Sequence, residues 1–92
     1  MAAPSPTHVW LVERTFSDDE LNIVILIYAT TDGRYYHRRE RALTSFTDDR
    51  VTTAAVEVDP SRLGTVEDPL LRERYAAEAS RMAARHEPSD PI

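Results

Sequence analysis

Residues 22–30 read Asn-Ile-Val-Ile-Leu-Ile-Tyr-Ala-Thr, a run without glycine, proline or charge, and Asp32-Gly33 follows it almost at once. β-Branched and aromatic side chains fit a pleated surface, so the run predicts a buried strand. Asp-Gly suits a two-residue hairpin turn, because both central residues need positive φ, and residues from Arg34 onward then supply the returning strand. The turn fixes a register in which Ile27 lies opposite Arg38, Tyr28 opposite His37 and Ala29 opposite Tyr36. A strand this apolar on both sides requires a cover on both.

The remaining elements follow from local chemistry. Residues 8–16, rich in β-branched and aromatic types, predict a first strand, and Ser17, Asp18, Asp19 and Glu20 predict the turn after it. Residues 40–46 fit either a continuation of the third strand or a helical turn, and are read as strand. Residues 51–58 are read as a fourth strand on their Thr and Val content, although Val51, Ala54, Ala55 and Val58 also fit helical spacing. Residues 59–64 form a connecting turn. Asp68 can cap a helix, Pro69 suits its first position, and residues 70–86 contain no further proline or glycine. Leu71, Tyr75, Ala79, Met82 and His86 make one stripe along it. The expected fold is therefore α+β: an antiparallel sheet of three to four strands in ββββα order, with the C-terminal helix packed on one face. Residues 1–7 are expected as a disordered tail, 8–86 as a single domain and 87–92 as a flexible tail.

A four-residue first turn would set Trp10 beside Ile27 and Val12 beside Ile25. One sheet face then carries Trp10, Val12, Ile25 and Ile27, and the other carries Leu11, Leu26 and Tyr28. One helix roofs one face, and an uncovered second face would expose a larger apolar patch than monomers usually carry. The sequence thus predicts self-association, as a homodimer or with a small protein partner, through these seven residues. Against it stands cover by arginine stems and by the loop over residues 47–64.

Arg34, Tyr35, Tyr36, His37, Arg38, Arg39, Glu40 and Arg41 run consecutively, placing four arginines against one carboxylate in a chain of net charge −5. Basic residues interleaved with aromatics can pair phosphates and stack bases, so Arg34, Tyr35, Tyr36, Arg38, Arg39 and Arg41 form an alternative nucleic-acid-binding set. No cysteine is present, which removes disulfides, thiolate metal sites and cysteine nucleophiles. His8, His37 and His86 show no metal-ligand spacing, and neither Asp18-Asp19-Glu20 nor Asp48-Asp49 has the spaced carboxylates and glycine of a calcium loop. With two glycines and no nucleophile elbow, phosphate loop or dinucleotide fingerprint, neither catalysis nor a cofactor is expected. The longest apolar run is far below the ~20 residues that cross a bilayer, and the N-terminus lacks a secretion signal, so a cytoplasmic protein is expected.

All eleven basic residues are arginine, against sixteen carboxylates. Acidic, lysine-poor chains suit a saline cytoplasm, where a carboxylate surface stays hydrated. The segments Trp10-Leu11-Val12-Glu13-Arg14, Tyr28-Ala29-Thr30-Thr31-Asp32-Gly33, Thr53-Ala54-Ala55-Val56-Glu57-Val58-Asp59-Pro60 and Arg72-Glu73-Arg74-Tyr75-Ala76-Ala77-Glu78-Ala79 resemble a group of small uncharacterised proteins of halophilic archaea. That resemblance covers residues 8–90 and implies a saline cytoplasm without implying a reaction. The function expected is a non-catalytic interaction or self-association module.

Overall fold

The central hairpin organises the sheet in the predicted register, with Ile27 opposite Arg38, Tyr28 opposite His37 and Ala29 opposite Tyr36. The computed structural model describes residues 7–17, 23–42 and 52–92. The strands are β1 (Thr7–Ser17), β2 (Ile23–Ala29), β3 (Tyr35–Ala42), β4 (Ala55–Val58) and β5 (Gly64–Thr65), and the helix is α1 (Pro69–Arg85). They form one antiparallel sheet in the order β4-β1-β2-β3-β5, with the helix against β1 and β2. The α+β arrangement is the expected one, with one strand more. β5 lies at the end of the predicted connecting turn, where Thr65 and Gly64 pair with Tyr35 and Tyr36. Positions 43–46 of the proposed third strand, residue 51 of the fourth, and most of the first turn lie outside the described residues.

The hairpin turn differs from the two-residue form. The Gly33 N–H donates to the Thr30 carbonyl at 2.9 Å, the Thr30 N–H to the Tyr35 carbonyl at 3.1 Å, and Gly33 sits at φ +72°. The Asp32 carboxylate accepts from the Thr30 hydroxyl and the Arg34 N–H, fixing the loop from within. Those two donors hold its pKa below the usual carboxylate range.

β1 departs from the expected pairing. Trp10 lies opposite Ala29 and Leu11 opposite Tyr28, and a bulge between Leu11 and Glu13 shifts the rest, so that Glu13 faces Ile27, Arg14 faces Leu26 and Phe16 faces Val24. Val12 is the extra residue. One inserted residue exchanges the faces of everything beyond it. Without the bulge, alternation would place Arg14 beside Trp10.

The helix begins as predicted: the Asp68 side chain accepts from the Leu70 N–H at 3.0 Å with Pro69 in the first turn. Its Tyr75, Ala79 and Met82 are buried, while Leu70 projects from the stripe and is 77% exposed. Tyr75 packs with Ala29 and Val66, bordered by Val12, Ile27, Tyr36 and Leu71. The Glu13 carboxylate meets Tyr75 by a hydrogen bond and Arg74 at 3.8 Å, and burial, with the Glu13 charge, raises the Tyr75 pKa.

The opposite face is closed by the chain itself. Val9, Leu26 and Tyr28 are at most 1% exposed and cluster with Leu11, Ala54 and Val58, bordered by Leu63, and the cluster continues to Met82 of α1. Residues 59–63, which include a single 3₁₀ turn at Pro60–Arg62, pass from β4 at one edge to β5 at the other. Four strand spacings amount to ~19 Å across a flat sheet. Six residue steps containing that turn reach only ~16 Å, so the sheet must curl to meet them. Residues 87–92, expected as a flexible tail, run beside residues 52–55: the Ala54 N–H donates to Asp90, Ala55 to Pro88 and Ile92 to Thr52.

Candidate anion-binding face

Strand pairing sorts the charged side chains by face. Opposite residues on neighbouring antiparallel strands project to the same side, so the registers define rows. On the face crossed by residues 59–63, the rows are Leu11, Tyr28 and His37; then Arg14, Leu26 and Arg39; then Phe16, Val24 and Arg41. On the helix face they are Trp10, Ala29 and Tyr36; then Glu13, Ile27 and Arg38; then Thr15, Ile25 and Glu40, with the His8 and Glu57 pair beside them. Among the described strand residues, the crossover face therefore holds Arg14, Arg39, Arg41 and His37 with no carboxylate. Glu13, Glu40 and Glu57 project to the other side by register, Glu57 from the β4 edge, where it also borders the crossover segment.

The arginines surround Tyr28. Burial raises its pKa, and the charges of Arg39, Arg41 and Arg14 oppose that rise, which places all three guanidinium groups within electrostatic reach of one phenol. Arg14 donates to the Ile92 carbonyl at 3.2 Å and Arg41 to the Thr52 hydroxyl at 3.4 Å. Phe16, at the outer end of the face, is 58% exposed.

Where Arg39 approaches the crossover segment, His37, Arg39 and Arg62 line a recess of about 190 Å³ with Glu57, Val58 and Asp59. His37 is held below the usual histidine pKa by burial and by the Arg39 and Arg62 charges, against a hydrogen bond to the Arg62 backbone. The two carboxylates are otherwise engaged. Asp59 accepts from the Ser61 N–H and hydroxyl, each at 2.9 Å, and Glu57 pairs with His8 at 3.2 Å. A second depression, of about 480 Å³, lies at the turn end among Thr7, Thr30, Asp32, Tyr35, Pro60 and Leu63.

Of the seven predicted interface residues, Leu11, Leu26 and Tyr28 are buried inside the chain and present no surface to a partner. Their cover comes from curl, crossover and arginine-bearing strands. Trp10, Val12 and Ile27 are half-buried at the core clusters, and Ile25 is half-buried outside both. The predicted nucleic-acid set is divided. Arg39 and Arg41 lie on the crossover face, Arg38 lies on the helix face paired with Glu40 at 2.6 Å, and Tyr36 is half-buried against Gly64 below the helix. Arg34 and Tyr35 are exposed at the turn. Sequence reasoning missed Arg14, Phe16 and Arg62, which the bulge and the crossover bring in.

A family comparison matches residues 3–92 to a family of unknown function, DUF7967. The chain belongs to that family. No curated protein and no solved structure matches it. Among the described residues of this DUF7967 chain, no group of three or more histidine or carboxylate side chains is placed to hold a metal ion, and no helix is long and apolar enough to cross a membrane.

Proposed function

We propose that the protein is a non-catalytic binding module of a saline cytoplasm, of halophilic archaeal type, which takes single-stranded nucleic acid on its crossover face. The observation that supports this reading is the charge partition: three arginines and a histidine on one sheet face, every described strand carboxylate on the other. Negative net charge over the whole chain does not oppose it, because a local cationic surface governs a local contact. Phe16 adds an exposed ring in the row of Arg41, and base stacking on a ring contributes about 1–3 kcal/mol for each base. Stacking carries contacts that salt screens, which a saline cytoplasm requires.

Fluorescence anisotropy with labelled oligouridylate and oligothymidylate, read at about 0.1 M and about 1 M salt where the screening length is ~10 Å and ~3 Å, tests the reading. Binding at the lower salt is expected, with an affinity that falls as salt rises. Arg14→Glu with Arg39→Glu abolishes it, whereas Arg38→Glu on the other face leaves most of it. Flat anisotropy at low salt overturns the proposal.

A second reading rests on Ile25. It is half-buried, outside both core clusters, between Thr15 and Glu40 on the part of the helix face beyond α1. We propose that any homodimer forms there, through Ile25 and neighbouring Ile27, rather than through Leu26 and Tyr28. Light scattering at micromolar concentration would give a dimer mass that Ile25→Glu halves. A monomer mass for the unaltered chain rejects this reading.

A further inference from the structure

We infer that the recess between β3 and the crossover segment is a subsite for a terminal phosphate monoester, held by Arg39 and Arg62 with His37 sharing its proton. The inference rests on the reading of the crossover face as a nucleic-acid surface and assigns which part of the strand it takes.

Arg39 and Arg62 reach the recess from different elements, one from β3 and one from the 3₁₀ turn, and neither guanidinium has a hydrogen-bond or ion-pair partner among the described residues. Two unpaired guanidinium groups facing one space make a fork-like anion clamp, because their planar donors match phosphate oxygens. The wall also carries two carboxylates, whose charge an incoming phosphate meets together with that of the arginines. Asp59 is occupied by Ser61 and Glu57 by His8. At about 190 Å³ the recess has room for a phosphate group.

His37 selects the monoester. Its ring is bonded to the Arg62 backbone and lies 6.4 Å, centroid to centroid, from Tyr28. The groups facing it are Tyr28 on β2, Arg39 on its own strand, Arg62 and Asp59 on the crossover, and Glu57 on β4. In the neutral imidazole only one nitrogen donates, and the Arg62 carbonyl takes that bond, so the other nitrogen is an acceptor that needs a proton on the ligand. A phosphate monoester, whose second pKa is near 6, carries a P–OH in its monoanion. An internucleotide diester has none. Binding thus forms one hydrogen bond between the ester and the imidazole without breaking a covalent bond, and the incoming negative charge raises the His37 pKa.

Three oligonucleotides of one sequence, bearing a 5′-phosphate, a 3′-phosphate or no phosphate, are titrated into the full chain by anisotropy, and inorganic phosphate is titrated while His37 is followed by NMR. The phosphorylated end that fits binds roughly tenfold tighter than the hydroxyl form, and which end it is separates the two sources. Arg62→Gln removes that advantage, bringing the phosphorylated and hydroxyl forms to the same affinity, and the His37 titration midpoint rises on addition of phosphate. Equal binding of all three oligonucleotides, with Arg62→Gln neutral and His37 unmoved by phosphate, overturns the subsite and leaves the nucleic-acid reading standing. Phosphate that shifts His37 while no oligonucleotide binds supports the subsite and overturns the nucleic-acid reading.

Discussion

Replacing Gly33 by alanine tests how tightly the helix is seated on the hairpin. At φ +72° an alanine incurs ~1–2 kcal/mol of backbone strain. Its Cβ would also stand 2.0 Å from the Arg72 carbonyl oxygen and 2.8 Å from the Ala76 nitrogen, both helix backbone atoms that cannot rotate aside. Relief requires α1 to retreat by about 1 Å along the stretch that buries Tyr75, and overpacking of this kind costs ~1–3 kcal/mol. The combined loss is about 3 kcal/mol, a large part of the ~5–15 kcal/mol typical of a domain. At ~4–8 °C for each kcal/mol, Tm falls by roughly 12–24 °C. Urea denaturation followed by fluorescence of the single tryptophan, Trp10, beside far-UV circular dichroism, measures it. Gly33→Asn separates the two causes: asparagine tolerates positive φ but brings the same Cβ, so it should recover no more than about 1 kcal/mol. A loss below about 1 kcal/mol for alanine, or full recovery by asparagine, refutes the close approach of helix and turn.

Leu26→Ala should cost about 2–5 kcal/mol in the same assay, since the side chain is fully buried, and Leu26→Asp should unfold the chain, with loss of far-UV signal, rather than divide an assembly. Asp68→Ala, which leaves the Leu70 N–H without its cap, should cost about 1 kcal/mol in urea midpoint analysis. His37 has a folded pKa below the unfolded value of about 6.5, so the unfolded chain takes the proton first as pH falls. Its contribution is complete above that value and is lost as pH drops through the folded pKa. Urea midpoints collected through this window should decline on the acid side, and His37→Gln should flatten the decline. The lowered Asp32 and Glu78 act in a separate, more acid window, below the usual carboxylate value.

What the residues disclose in advance is what local chemistry decides. The β2 and β3 register depends on a turn only residues away, and it was legible even though the turn itself closes at Thr30 and Tyr35. The cap at Asp68 and the burial of Tyr75, Ala79 and Met82 follow from neighbours within a few turns of one helix. The β1 bulge is a different matter. Nothing near Val12 announces an extra residue, since a bulge is a property of the pairing between two strands. Yet it delivers Arg14 to the crossover face and Glu13 to Tyr75. β5 is two residues long and gives no periodic signal, and the recess joins positions 37, 39 and 62 through a crossover that no spacing rule encodes.

The short link from Val58 to Gly64 acts as a hoop that ties both rims of the sheet together. Opening one rim pulls on the other, so Val58 and Thr65, seven positions apart in sequence but on opposite borders, are expected to lose amide protection in the same event rather than fray separately. A ligand gripped between His37 and Arg62 would cinch that hoop, and strand order would become a means of sensing occupancy.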